Sequence, residues 1–298
     1  MEKTKYLHHD KANYLLENCI RQSKFNETEL FNNKYDDIAK FSEQIIGPET
    51  YGLFYNDSHY LQSVDLLIKA SLETEHRDKK LFCDIVPHLY SYTNFLDIGV
   101  GNGVLTKLIG QVFENITIVD NSPVSLANVK QSDFPSTTQI NKIEASITNL
   151  TITDTKYDLI FFSHIIYYIP IEERNALVDR LYGYLNDYGL LVIIYNAGLS
   201  RYDLTRNFGG KNFNFTEVAA HIEAKYTRIE HLQSKEFIRT PDIESMLHIA
   251  GVCLKDSDTT ATKQNLEDYL HKNHYYNDNF YIDMMQNFYF IWQSEYDH

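Results

Sequence analysis

The sequence predicts a doubly wound α/β fold whose sheet is mostly parallel, with an antiparallel C-terminal strand and an N-terminal helical segment. Three observations lead there. An apolar run, Phe95-Leu96-Asp97-Ile98, enters the turn Gly99-Val100-Gly101-Asn102-Gly103, after which apolar spacing becomes helical at Val104, Leu105, Leu108, Ile109 and Val112. A β-branched run, Ile116-Thr117-Ile118-Val119, ends in Asp120, 21 residues after Gly99. The run from Tyr157 to Ser163 is apolar enough to suit a central parallel strand covered on both faces.

The remaining elements follow in order. Residues 1–57 read as a helical extension, with an apolar stripe at Tyr14, Leu15, Leu16, Cys19 and Ile20 and a second amphipathic piece from Leu30 to Ile46, before Gly47-Pro48. A long helical pattern from Ser58 to Leu89 carries Tyr60, Val64, Leu67 and Ile68 on one face and Glu73-Thr74-Glu75-His76 near its middle. Asn121-Ser122-Pro123 opens a helix with Ser122 as its cap. Thr138 to Ala145 is a third strand, followed by Ser146 in a loop, and the Tyr157 run is the fourth. His164 stands at its carboxyl end, where ligands bind in open parallel sheets. A helix from Glu172 to Leu185 leads through Gly189 into a fifth strand, Leu190 to Tyr195. Asn196 to Lys211 reads as a loop; Phe215 to Lys225, Pro241 to Ala250 and Asn265 to Asn273 read as helices. Asn287 to Trp292 reads as an antiparallel edge strand.

Composition bounds the partners. With 298 residues, 43% of them hydrophobic, the chain is long enough for one large α/β domain with an appendage. No apolar run approaches the ~18–20 residues that span a membrane, and the polar N-terminus is unlike a signal peptide. Cys19, Cys83 and Cys253 are far apart in sequence, which suits reduced thiols and a cytoplasmic protein. His8-His9-Asp10 has no further ligand at suitable spacing, so no metal site is expected. A formal charge of −14 repels phosphate backbones, so the expected partner is a small cationic or neutral molecule, not nucleic acid, and the expected state is a monomer.

The glycine spacing distinguishes two cofactor classes. A dinucleotide turn, G-x-G-x-x-G, would need glycine where this chain has Val104. The G-x-G-x-G found here, with Asp97 just before it, resembles motif I of the class I S-adenosylmethionine (SAM) methyltransferases, with a Rossmann-like sheet. Asp97, Gly99, Gly101, Gly103 and Asn121 are then expected to bind the cofactor, with Asp120 at its ribose.

Within that class the chain resembles the histamine N-methyltransferase family from about Tyr60 to Gly209, and more loosely to the C-terminus. The likeness rests on Asp158-Leu159-Ile160 through Tyr167-Tyr168-Ile169, an Asp-led apolar strand followed by a Tyr pair, and on the helix carrying Tyr60, Ser63 and Glu73-Thr74. It implies that Ser125, Ser146 and Ser163 contact the cofactor. It also implies that Glu73 receives a substrate ammonium or imidazole, and that Tyr60, Tyr167, Tyr168 and Asn287 line the amine site. His164 stands where the family has a substrate-binding Gln, and Arg201 and Thr205 stand where it has tryptophans.

These residues suggest transfer of a methyl group to a nitrogen of a small amine or imidazole. His164 is the candidate catalytic residue, as hydrogen-bond partner or proton acceptor, or else caps the strand end. Rival readings are an O- or N-methyltransferase of another small metabolite with His164 as base, and a SAM-binding protein without catalysis. The expected division is an extension at 1–57 and a methyltransferase domain at 58–298, with a substrate-binding helix at 58–89 and substrate-side elements at 196–298.

Overall fold

The computed structural model describes residues 11, 13–14, 17–19, 57–71, 77, 79–150, 152, 155–209, 214–254 and 260–293. The glycine-turn region is strand β1 (Asn94–Ile98), helix α2 (Val104–Ile109) and strand β2 (Asn115–Asp120), preceded by helix α1 (Asp57–Ala70). Helix α3 (Pro123–Ala127), strand β3 (Gln139–Glu144), strand β4 (Tyr157–Ser163), helix α4 (Ile171–Gly183) and strand β5 (Leu185–Ala197) complete the α/β part. The chain continues through α5 (Leu199–Phe208), α6 (Thr216–Lys225), β6 (Ile229–Thr240), α7 (Ile243–Leu254), α8 (Lys263–Asn273), β7 (Tyr275–Tyr276) and β8 (Asn279–Trp292).

The strands form one mixed sheet in the order β3-β2-β1-β4-β5-β8-β6, with β7 paired to β8. The first five are parallel; β8 runs antiparallel to both β5 and β6. β4 is central and buried from Tyr157 to Phe162, as its apolar run requires. Its one acid works at the end of the sheet away from the glycine turn. Asp158 Oδ2 accepts from the backbone N–H of Thr93 and Asn94, both at 2.8 Å, and Oδ1 accepts from Asn186 Nδ2 at 2.7 Å. The carboxylate thereby sets where β1 begins.

Both faces are covered. Phe95, Phe161, Val192 and Phe290 pack under Leu81, Ile85, Val86 and Val112 on one side. Ile160, Phe162, Ile193 and Ile291 pack under Leu177, Leu181, Val218 and Ile222 of α4 and α6 on the other. A third core lies beyond the carboxyl edge of the parallel strands. There the first half of β8 (Phe280, Ile282, Met284) meets Leu66 and Leu67 of α1, Leu204 of α5, Met246 and Ile249 of α7 and Leu270 of α8. It forms a cap over the edge where parallel sheets bind ligands. Residues 11, 13–14 and 17–19 are helical; Tyr14 Oη donates to Leu108 O at 2.6 Å, and Cys83 Sγ lies 3.8 Å from the carbonyl of Cys19.

Four expectations need correction. The helix expected from Ser58 to Leu89 is not continuous: α1 ends at Ala70, where Ser71 Oγ closes the last turn on Ile68 O, and residues 80–88 form π-type and 3₁₀ turns around Pro87. The expected loop after Asn196 contains α5. Gly198 and Gly209 stand at its two ends, and its first turn is capped by Asp283, whose Oδ1 accepts from Ser200 N at 2.8 Å. The C-terminal strand is antiparallel but not at the edge, because β6, for which the sequence predicts no strand, lies outside it. The α7 helix runs through Gly251 to Leu254 instead of stopping there. The His8-His9 pair and the piece from Leu30 to Ile46 lie outside the described residues.

Among the described residues no helix is long and apolar enough to cross a membrane, and no group of three or more His, Cys, Asp or Glu is placed to hold a metal ion.

Candidate active site

Three glycines make the turn after β1, all in the left-handed region: Gly99 at φ +76°, Gly101 at +55° and Gly103 at +72°. Gly99 N donates to Val119 O at 2.7 Å, and Gly103 N to Val100 O at 2.9 Å. A Cβ on Gly99 would come within 2.0 Å of Ile165 Cδ1, so the loop after β4 packs directly on this turn. Gly101 differs. Among the described residues a Cβ there would meet only Gly99 O, at 4.0 Å, so these residues leave room beside the turn for another molecule.

Carboxylates brace the turn from two sides. Asp120 Oδ2 accepts from Gly101 N at 3.2 Å and Oδ1 from Ser122 N at 2.8 Å. Asn128 Nδ2 donates to Gly101 O at 3.1 Å. Asp97 is buried, and the Thr106 hydroxyl donates to its Oδ2, which fastens β1 to α2 beneath the glycines. Burial pushes the Asp97 carboxyl up to about 6 from its ordinary 3.8; the nearby Asp120 charge adds to this, while the Thr106 hydrogen bond and Arg77 oppose it.

Because the unfolded chain loses this proton near 3.8 and the folded chain near 6, Asp97 stabilises the fold at low pH. That contribution is lost as pH rises through about 4 to 6. At ~1.4 kcal/mol per pKa unit it is on the order of 3 kcal/mol. Asp97→Asn is expected to remove this slope, read as the urea midpoint against pH between 4 and 7 for both proteins.

The end of β4 supplies the second half of the site. His164 sits at φ +58°, a left-handed conformation that is uncommon for a residue with a side chain. Its N–H donates to Ile194 O at 2.8 Å, and its Nδ1 lies 2.9 Å from Tyr167 Oη. Tyr167 Oη also accepts from the backbone N–H of Asn196 on β5. The imidazole is therefore held between two strand ends, and Tyr167 is buried with its ring edge-on to Phe215.

The other expected residues are scattered. Ser163 ends β4, beside His164. Asn121 and Ser146 are exposed, Ser146 Oγ bonding Thr148 at 2.9 Å. Ser125 is buried in α3, its N–H on the capping hydroxyl of Ser122. Tyr168 is 47% exposed, with its ring edge-on to Tyr167. Tyr60 lies on α1 by its backbone, and Glu73 lies outside the described residues. Asn287 points to the face of the sheet opposite α1, where its Oδ1 accepts from Gln233 Nε2 at 2.9 Å and lies 3.1 Å from His231 Nε2. Arg201 is buried in α5, and Tyr202 is 48% exposed.

One residue of this region escaped the sequence reading. Gln286 of β8 is fully buried, and neither its Oε1 nor its Nε2 has a hydrogen-bond partner among the described residues. Leaving such groups unmatched costs about 1–3 kcal/mol each. Strand alternation was the available signal: Phe280, Ile282, Met284, Phe288 and Phe290 share its face, so Gln286 is the one amide in an apolar stripe.

The glycine turn fits the methionine and ribose parts of SAM: Gly101 leaves space where a Cβ would intrude, and an acid ends the next strand. Sheet, turn and acid together are the arrangement of a SAM-dependent methyltransferase. Residues 96–193 match the family described as a methyltransferase domain. Among solved structures, the chain is similar to the YcgJ protein of Bacillus subtilis, at 12% identity over 68% of this chain and 92% of that one, with a TM-score of 0.51. It is also similar to the N-methyltransferase NodS from Bradyrhizobium japonicum WM9 in complex with S-adenosyl-L-homocysteine, at 15% identity over 88% of this chain and 100% of that one, with a TM-score of 0.44. At 12% identity the likeness to YcgJ is one of fold. No curated protein matches the chain in sequence.

Proposed function

We propose that this methyltransferase acts on a nitrogen of a small amine or imidazole compound, histamine-like in size. The observation that carries the reading is the fixed imidazole of His164. It is tied through Tyr167 to β5, and it precedes Ile165, the residue packed on Gly99 of the cofactor turn. In this reading Gly99, Gly101 and Gly103 seat the methionine end of SAM, Asp120 takes the ribose hydroxyls, and Ser163 flanks them. Glu73 would receive a distal ammonium on the substrate.

SAM supplies, when bound, a methyl group on a sulfonium whose departure needs no acid. The protein's task is to align a neutral lone pair with that methyl and to exclude water. When Nδ1–H is directed to Tyr167 Oη, the lone pair of His164 is on Nε2. In that tautomer it can take the proton released after the new C–N bond forms, from the methylated nitrogen itself when the acceptor is an amine and from the other ring nitrogen when it is an imidazole. Which nitrogen carries the proton depends on the tautomer, and the Tyr167 contact allows either. With the proton on Nε2, His164 would instead orient an acceptor by donating to it.

The same geometry favours a second reading, O-methyl transfer with His164 as base, since a phenol must lose its proton before attack. The two separate in one assay. Labelled SAM is offered with histamine, other imidazoles, amines and phenols to the wild type and to His164→Ala. Turnover of imidazoles or amines, reduced about 10²-fold in His164→Ala, is the expected result. Turnover of phenols alone, lost in His164→Ala, would replace the first reading by the second.

A further inference from the structure

We infer that Gln286 is a specificity-determining residue that receives a neutral amide-like group of the methyl acceptor. This inference rests on the methyltransferase site proposed above. Gln286 is fully buried with both polar atoms of its amide unmatched among the described residues, and an amide buried in this way calls for a partner that donates and accepts side by side.

Its surroundings place it in the site. Its register partners are Asn196 on β5 and Ser234 on β6, and the backbone N–H of Asn196 is the one that donates to Tyr167 beside His164. On its own face of β8, Met284 belongs to the cap core and Phe288 to the core under the sheet, so Gln286 stands where the two meet. On that face, α1, α5 and α7 share the cap core with Phe280, Ile282 and Met284. Helix α1 also reaches the cofactor turn, where Asn102 Nδ2 donates to Asp65 Oδ1 at 3.0 Å. One turn from Leu66 on the core-facing stripe of α1, Gln62 offers a second buried side-chain oxygen without a partner among the described residues.

The chemistry of the group follows. Gln286 Oε1 accepts and Nε2 donates, so a carboxamide or lactam satisfies both in a cyclic pair. A carboxylate would oppose Oε1, and its charge would enter a position whose register neighbours are both neutral. A hydrocarbon group would leave the glutamine unmatched, and sites built to hydrogen-bond a substrate reject analogues that lack the group by large factors.

The test uses the full chain, SAM and two series of acceptors: nicotinamide, nicotinate and 3-ethylpyridine for a nitrogen nucleophile, and salicylamide, salicylate and 2-ethylphenol for oxygen. The wild type is expected to favour the amide of a series by about 10²-fold in kcat/KM. Gln286→Leu, or Gln286→Met if the first does not fold, should raise KM for the amide and erase that preference. KM for SAM should not move, which separates recognition from a structural role. No amide preference in the wild type, including no turnover of either amide, overturns the inference, as does a preference that survives both substitutions. Preference for salicylamide, with no turnover of the pyridines or of histamine, would uphold Gln286 while removing the nitrogen reading. Pyridine turnover without amide preference would do the reverse.

Discussion

Asp120→Ala is expected to weaken SAM binding by roughly 10²–10⁴-fold. The carboxylate closes β2 next to the glycine turn, with each oxygen already accepting one backbone N–H, from Gly101 and from Ser122. A carboxylate at the end of this strand is also the group expected to accept from ribose hydroxyls. Two charge-assisted hydrogen bonds of about 1.5–3 kcal/mol each give the expected range. Titration calorimetry with S-adenosyl-L-homocysteine reads it directly, because the product shares the ribose. Asp120→Asn retains an acceptor and should fall between the two. A loss below about 10-fold in Asp120→Ala would remove this acid from the ribose site.

Gly101→Val should have a comparable effect on binding but little on folding. The residue lies at φ +55°, where a side chain costs about 1–2 kcal/mol. Among the described residues a Cβ there would meet nothing closer than Gly99 O at 4.0 Å, so the new side chain would enter the space proposed for the cofactor. Gly99→Ala makes the contrast, because its Cβ would strike Ile165 and strain the protein itself. The expected pattern is therefore a small drop in Tm with at least ~100-fold weaker binding for Gly101→Val, and a larger drop in Tm for Gly99→Ala. Near-normal affinity in Gly101→Val would mean that the cofactor does not lie against this residue.

The parts of the molecule visible in the sequence are those fixed by local pattern. The β1 turn, Asp120 and the β4 run could be read because glycine, β-branched residues and apolar density act over a few residues. Ser122 was legible as a cap for the same reason, and its hydroxyl does accept from Ser125 N. What escaped depends on distant partners. α5 is held by Asp283, more than 80 residues on in the chain, so its glycines looked like loop markers. β6 lies at the sheet edge with polar residues such as Glu230, His231, Gln233 and Lys235 along it, and its strand character comes from pairing with β8. The same strand explains the site residues. Asn287 and Gln286 are neighbours in sequence, but alternation sends them to opposite faces. Asn287 finds partners on β6, and Gln286 faces the cap core with none among the described residues.

The identity of the atom that receives the methyl group tests the central claim most directly. Purified protein would be incubated with SAM carrying a ¹³C-methyl group and the acceptor panel, and the labelled product examined by carbon–proton correlation NMR. A signal in the N-methyl region, absent in Asp120→Ala, is the predicted result. A signal confined to the O-methyl region, or bound SAM with no labelled product from any acceptor, would contradict it.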